Sequence, residues 1–140
     1  LVVIIQISIE NMLTSITKNQ YYDIACNPES NRMYLRIKGY WKRKEDVVDY
    51  VKHIKQGGDS LKPGFNLMVD LREMKTPPLT INTIHERAQM TLMNLGLDRT
   101  AEIIPESDIV LKNVTEGISD RSKMKKRQFT DIKEAEFWLK

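Results

Sequence analysis

The sequence predicts an α/β domain built on a mixed sheet, an antiparallel hairpin followed by strand–helix alternation. Three observations carry this. Two short segments with period-two apolar patterning flank the turn Asn27-Pro-Glu-Ser-Asn31. The run Phe65–Leu71 is almost continuously apolar, as a central strand covered on both faces requires. Between and beyond these lie four stretches whose apolar residues recur at helical spacing.

In order, Tyr22, Ile24 and Cys26 alternate with Asp23 and Ala25. Met33, Leu35 and Ile37 then alternate with Tyr34, Arg36 and Lys38, closing a hairpin near Gly39. A first helix is expected over 44–56, with Val47, Val51 and Ile54 on its inner stripe and Gly57-Gly58 as its stop. Pro63-Gly64 leads into the Phe65–Leu71 strand. Thr80 is placed to cap a second helix over 81–95, with Ile81, Ile84, Ala88, Leu92 and Leu95 inward and Gly96 at its end. Residues 99–104 form a short strand closed by Pro105. Ser107 is placed to cap a third helix to about residue 118, with Val110, Val114 and Ile118 inward. Residues 126–129 make a weak last strand. Asp131 with Glu134 opens a last helix that buries Ile132, Ala135, Trp138 and Leu139. The order β-β-α-β-α-β-α-β-α implies a sheet that is parallel in its later part, with helices packed on it.

The chain has 140 residues, enough for one domain with a sizeable core. Its apolar and charged fractions, 41% and 29%, fit an ordinary folded protein and point to neither disorder nor a membrane span. A single cysteine, Cys26, has no internal disulfide partner, which favours a reducing, cytoplasmic setting. Residues 1–20 are read as an N-terminal extension, either non-native or an added strand, ahead of a domain over 21–140. The opening Leu1–Ile9 is rich in β-branched residues but far too short to span a bilayer. It lacks the flanks of a signal peptide, and Met12 lies just before the domain.

The arrangement resembles the STAS domain family, named for sulfate transporters and anti-sigma-factor antagonists, and within it a poorly characterised stand-alone branch. The likeness runs from about Tyr21 to Leu139. It rests on Ile37-Lys-Gly-Tyr-Trp41, on Leu67-Met-Val-Asp-Leu-Arg72 and on the closing Phe129-Thr-Asp-Ile-Lys-Glu-Ala-Glu-Phe-Trp-Leu139. In the regulatory members, an Asp-Ser-Ser/Thr-Gly motif opens the second helix, and phosphorylation of its hydroxyl by a partner kinase dissociates the complex. The matching stretch here is Pro78-Leu79-Thr80-Ile81, where the acid, the paired hydroxyls and the glycine are missing. The resemblance thus implies an anti-sigma-factor-antagonist-like interaction domain, without an enzyme's chemistry and without the usual phosphoserine switch. Thr80, and Thr76 before it, remain the phosphorylation candidates. A phosphate at Thr80 would sit at a helix N-terminus, which favours an anion, although a plain capping role explains the same residue.

No catalytic constellation stands out. His85-Glu86 begins a zinc-protease pattern, but Gln89 occupies the position of the second histidine, and His53 belongs to another helix; both histidines read as surface or groove residues, and no metal or cofactor is expected. Cys26 reads as a small core residue. No glycine pattern for nucleotide phosphates is present. Asp70 ends a strand as in receiver domains, but the opening hairpin contradicts that fold.

Two surface features bear on partners. Arg121, Lys123, Lys125, Lys126 and Arg127 concentrate the positive charge of a chain whose net charge is only +3. Without an aromatic stacking residue inside it, nucleic acid is not the expected partner, and a solvated basic loop guarding an edge strand is the plainer account. On the second helix, Met90 and Met93 fall away from the core stripe, among polar residues. Together with Thr76, Pro78 and Thr80 they outline a surface for an unidentified protein partner. The alternative is a small carrier whose helix-lined groove holds an apolar or lipid-like ligand.

Overall fold

Alternation builds the first half of the sheet. In a computed structural model, which describes residues 13–140, β1 (Thr14–Lys18), β2 (Tyr22–Asn27) and β3 (Arg32–Ile37) pair as an antiparallel meander. Tyr22, Ile24, Cys26, Met33, Leu35 and Ile37 are all buried on one face, each such side chain contributing roughly 1.5–3 kcal/mol. β1 lies within the segment read as an extension or an added strand. The expectation for residues 1–11 lies outside the described residues.

The second half is strand–helix alternation. A 3-10 turn, Lys44–Val47, leads to α1 (Tyr50–Asp59), then β4 (Asn66–Asp70), α2 (Leu79–Asn94), β5 (Thr100–Ile103), α3 (Ile109–Ser122), β6 (Lys126–Phe129) and α4 (Ile132–Leu139). The six strands lie in sequential order, with β3 to β6 mutually parallel. α1, α2 and α3 cover one face over the larger core, which includes Trp41, Tyr50, Ile54, Phe65, Leu67, Val69, Ile81, Leu92 and Leu111. α4 covers β4, β5 and β6 on the other face, where Met68, Ala101, Ile103, Phe129, Ala135 and Leu139 meet. Burial on both faces explains the unbroken apolar run of β4.

Several boundaries differ from the expectations, each for a local reason. Gly57 and Gly58 do not stop α1; they lie inside it and are buried. A Cβ on Gly57 would sit 2.7 Å from Met33 Cε and 3.3 Å from Ile24 Cγ2, and one on Gly58 would sit 2.7 Å from Leu95 Cδ1. The pair lets the helix approach both the sheet and the end of α2. Thr80 does not cap α2. Ile81 N already donates to Pro78 O (3.0 Å), so the helix starts earlier and Thr80 is an exposed first-turn residue. Asp108 rather than Ser107 caps α3, its carboxylate accepting from Leu111 N at 2.9 Å. That turns the helix so that Leu111, Thr115 and Ile118 face inward, while Val110 faces out. Asp131 does cap α4, accepting from Lys133 N at 3.0 Å.

Gly96 ends α2 as expected, and two constraints select it. Its φ is +104°, and a Cβ there would lie 2.6 Å from Pro63 Cα.

Candidate functional site

The β3–α1, β4–α2 and β5–α3 connections all emerge at the carboxyl end of the parallel strands, the end where open α/β sheets place their binding crevices. The loop after β4 is held firmly there. Asp70 accepts from the Arg72 backbone N–H at 3.1 Å and from the Arg72 guanidinium at 2.9 and 2.8 Å, with Arg36 at 3.6 Å. Burial pushes this carboxyl up, but the Arg72 bonds and the two positive charges outweigh it and hold it below its ordinary value. Gly39 N donates to Glu73 O (2.8 Å) and Lys75 N to Gly39 O (3.0 Å), tying the loop to the end of β3. Asp70 is therefore a loop anchor.

Thr76 and Pro78 follow on this clamped loop, and Thr80 stands in the first turn of α2. Thr76 and Pro78 are half-buried, Pro77 is buried and Thr80 is exposed. Met90 and Met93 belong elsewhere. Met90, 51% exposed, lies ten residues beyond Thr80, about 15 Å along α2, and Met93 is half-buried. What the sequence reading missed is Leu79, the first residue of α2, which is 82% exposed. Ile109 and Val110 open α3 at the same end, 71% and 62% exposed. For Ile109 and Val110 the signal was present as apolar residues in the first turn of a capped helix, but the one-residue shift from Ser107 to Asp108 put Val110 on the wrong side.

The basic segment does not form one patch. Lys126 is inside, its ammonium 3.2 Å from Glu102 and its side chain only 11% exposed. Arg121 pairs with Glu86 at 2.7 Å. Arg127 lies over the Phe129 ring, 5.4 Å from its centroid. Lys123 and Lys125 are exposed beyond the end of α3.

The histidines also differ from their expected placement. His85 is fully buried, stacked on Trp41 at 4.8 Å, because α2 lays it against the aromatic cluster of Tyr22, Trp41 and Tyr50. Burial lowers its pKa to about 4, so the imidazole is neutral, and its Nε2 has no hydrogen-bond partner. His53 is half-buried, its Nδ1 2.7 Å from the Tyr22 hydroxyl.

His85 lines an interior cavity of about 40 Å³ between the sheet and α1–α3, together with Tyr50, Gln89, Glu102 and Thr115. Glu102 is nearly inaccessible. Burial raises its pKa, against the opposing charge of Lys126 and a hydrogen bond from Gln128 Nε2 (3.1 Å). Gln128 Nε2 also donates to Thr115 Oγ1 at 3.1 Å, and Lys126 to Thr115 O at 3.2 Å. Cys26 Sγ donates to Gly57 O at 3.4 Å, and burial pushes its thiol up, away from the reactive thiolate. Among the described residues no group of three or more His, Cys, Asp or Glu is placed to hold a metal ion.

No protein-family model and no curated protein matches the chain. Among solved structures, it is similar to an uncharacterized protein from the DUF3478 family with a SpoIIAA-like fold, from Shewanella loihica PV-4. The superposition has a TM-score of 0.51 and 14% sequence identity, and covers 89% of this chain and 98% of that one. The antiparallel opening, the parallel β3–β6 and the helices packed on them accordingly make this a SpoIIAA-like, STAS-type fold.

Proposed function

We propose that the protein is a non-enzymatic, regulatory STAS-like domain that docks a protein partner through the carboxyl end of its parallel strands. One observation carries this reading. Leu79, the first residue of α2 after a clamped loop, presents an apolar side chain to water at the position where the resemblance places the phosphorylation motif of the regulatory members. Ile109 and Val110 add to the apolar surface at that end, and Thr76, Pro78 and Thr80 flank it. Thr80 carries the hydroxyl best placed for modification, since it is exposed in the first turn of α2, where a phosphate meets free backbone N–H groups.

The test is capture of a partner from the source cells by the tagged chain, with Leu79→Glu and Ile109→Glu as variants. Both sites are exposed, so the fold should survive, as circular dichroism would verify. Capture should be lost with either variant. Unchanged capture by both would remove this surface from the partner's footprint. Phosphopeptide mapping after incubation with lysate and ATP should find any modification of this region at Thr80; modification confined to other segments rejects that site.

A second reading, a carrier of a small apolar ligand, is favoured by the interior cavity and its unpartnered His85 Nε2. At about 40 Å³ the cavity holds one to a few waters, so an apolar ligand would need α1 and α2 to part. Native mass spectrometry of the purified protein should then show a retained ligand, and a clean apo mass in repeated preparations counts against it.

A further inference from the structure

The 3-10 turn Lys44–Val47 and the start of α1 lie against the outer side of α2, leaving a shallow groove of about 180 Å³. It is lined by Lys44, Val47, Val48, Val51, Ile84 and Arg87. The chemistry of this groove is one-sided. Val47 and Ile84 are buried and Val51 half-buried, making an apolar floor, while Val48 stands 79% exposed as a wall. The only charged side chains lining it are two cations, Lys44 and Arg87. Nearby carboxylates are engaged elsewhere, Asp46 with Arg43 at 3.7 Å and Glu86 with Arg121 at 2.7 Å. Glu45 and Asp49 are exposed but do not line the groove. Neither Lys44 nor Arg87 has a carboxylate within salt-bridge distance among the described residues.

An apolar floor between two unpaired cations selects its occupant by charge. A drug-sized molecule is ill served, because sites of that kind enclose roughly 300–1,000 Å³. A flat bilayer would rest on Val48 and leave the recessed Val47 and Ile84 uncovered. One aliphatic side chain fits the floor, and carboxylates on either side of it reach Lys44 and Arg87, the latter able to hold a carboxylate bidentately.

We propose that this groove docks an acidic, apolar segment of a protein partner, an aliphatic side chain seated on Val47, Val51 and Ile84 and flanking carboxylates held by Lys44 and Arg87. The assignment rests on the reading of the protein as an interaction domain and names the partner's chemistry. It extends the docking surface from the start of α2 along its α1 side.

The probe is a synthetic peptide of two leucines flanked by glutamates, titrated into the isotope-labelled full chain and followed by amide chemical shifts. Shifts should centre on Val48, Ile84 and Arg87, and binding should weaken as salt is raised, because the cations are exposed. Arg87→Glu should lower affinity by at least about tenfold. A lysine-flanked peptide should fail on the natural chain and bind a Lys44→Glu/Arg87→Glu variant, a reversal that a merely misfolded variant would not show. The proposal is overturned if no peptide binds, if the shifts lie elsewhere, or if the lysine-flanked peptide binds the natural chain equally well. It is also overturned if phosphatidylserine vesicles, and not the peptide, bind in a manner sensitive to Arg87→Glu. Partner capture lost with Leu79→Glu but kept with Arg87→Glu would sink the groove and leave the interaction domain standing; capture unaffected by both would sink both.

Discussion

Two polar clusters lie under the same layer of helices and are built in opposite ways. On the inner face of α2, His85 is buried among the rings of Tyr22, Trp41 and Tyr50; it stays neutral through desolvation, and its Nε2 is unpartnered. Beneath α3, Glu102 is buried just as deeply but lies within a mesh of Lys126, Gln128 and Thr115. Both residues line the same cavity. One half of the core thus suppresses charge, and the other compensates it. The difference teaches that neither residue need be a catalytic group: each departure from ordinary acidity has a complete structural cause.

Breaking the compensated cluster should have the largest effect. Lys126→Met leaves the Glu102 carboxylate buried with only the Gln128 amide, and should cost about 3–5 kcal/mol in urea unfolding at neutral pH. The double variant Glu102→Gln/Lys126→Met should recover most of that loss, because the uncompensated charge is gone. The sign with pH follows from the raised pKa of Glu102. Stability linked to this group is present below its unfolded value of 4.5 and is lost as pH rises through the folded value, so the single variant should be least damaged in acid. A single-variant loss below about 1 kcal/mol would mean that Glu102 escapes the buried charge, by water reaching it or by taking up a proton.

The suppressed cluster predicts the opposite slope. His85 titrates near 6.5 when unfolded and at about 4 when folded, so the unfolded chain binds more protons between these values. Stability linked to His85 is complete above 6.5 and falls by about 3 kcal/mol as pH drops to about 4. Asp70 has a depressed pKa and acts only lower, as pH falls through its folded value, while Glu102 acts in the contrary direction. The comparison that isolates His85 is therefore natural chain against His85→Phe across pH 4–7. The variant should lose most of the slope, and parallel profiles would show that the imidazole is solvated.

The division between the clusters also marks what was legible in the sequence. The β-β-α-β-α-β-α-β-α order was readable because each element keeps its own periodicity: Met33–Ile37 alternates, and Ile81, Ile84, Ala88 and Leu92 recur at helical spacing. The clusters were not, because burial of a polar residue depends on partners distant in the chain. His85 sits one position from the stripe residue Ile84, yet its place is set by Trp41, more than forty residues earlier. Lys126 reads as one charge in a basic run, and only the parallel pairing of β5 with β6 brings it to Glu102. At the candidate site, Thr76, Pro78 and Thr80 were found through the motif position. Leu79, Ile109 and Val110 were missed, because their exposure depends on helix starts set by Pro78, two residues before the expected Thr80 cap, and by Asp108, one residue after the expected Ser107 cap.

Gly57 and Gly58 give the smallest and finest test of the same contrast, since they set how closely α1 presses on the charge-suppressing half. In an open helix, glycine to alanine gains about 1 kcal/mol from backbone propensity. At Gly57 the new methyl would meet Met33 Cε, Ile24 Cγ2 and Cys26 Sγ, all buried in the sheet core, and the stiff β-branched Ile24 has little room to yield. Overpacking of about 1–3 kcal/mol should win there, making Gly57→Ala destabilising overall. At Gly58 the closest atoms are the tip of Leu95, which is only half-buried, and the tip of Leu92 at 3.3 Å, buried but not β-branched, so both contacts are side-chain ends that can turn. Gly58→Ala should therefore be close to neutral. Matched denaturant midpoints for the two variants would show that α1 is not seated on the sheet through Gly57, whereas the expected ordering ties the helix's approach, and with it the burial of Tyr50 beside His85, to a missing methyl group.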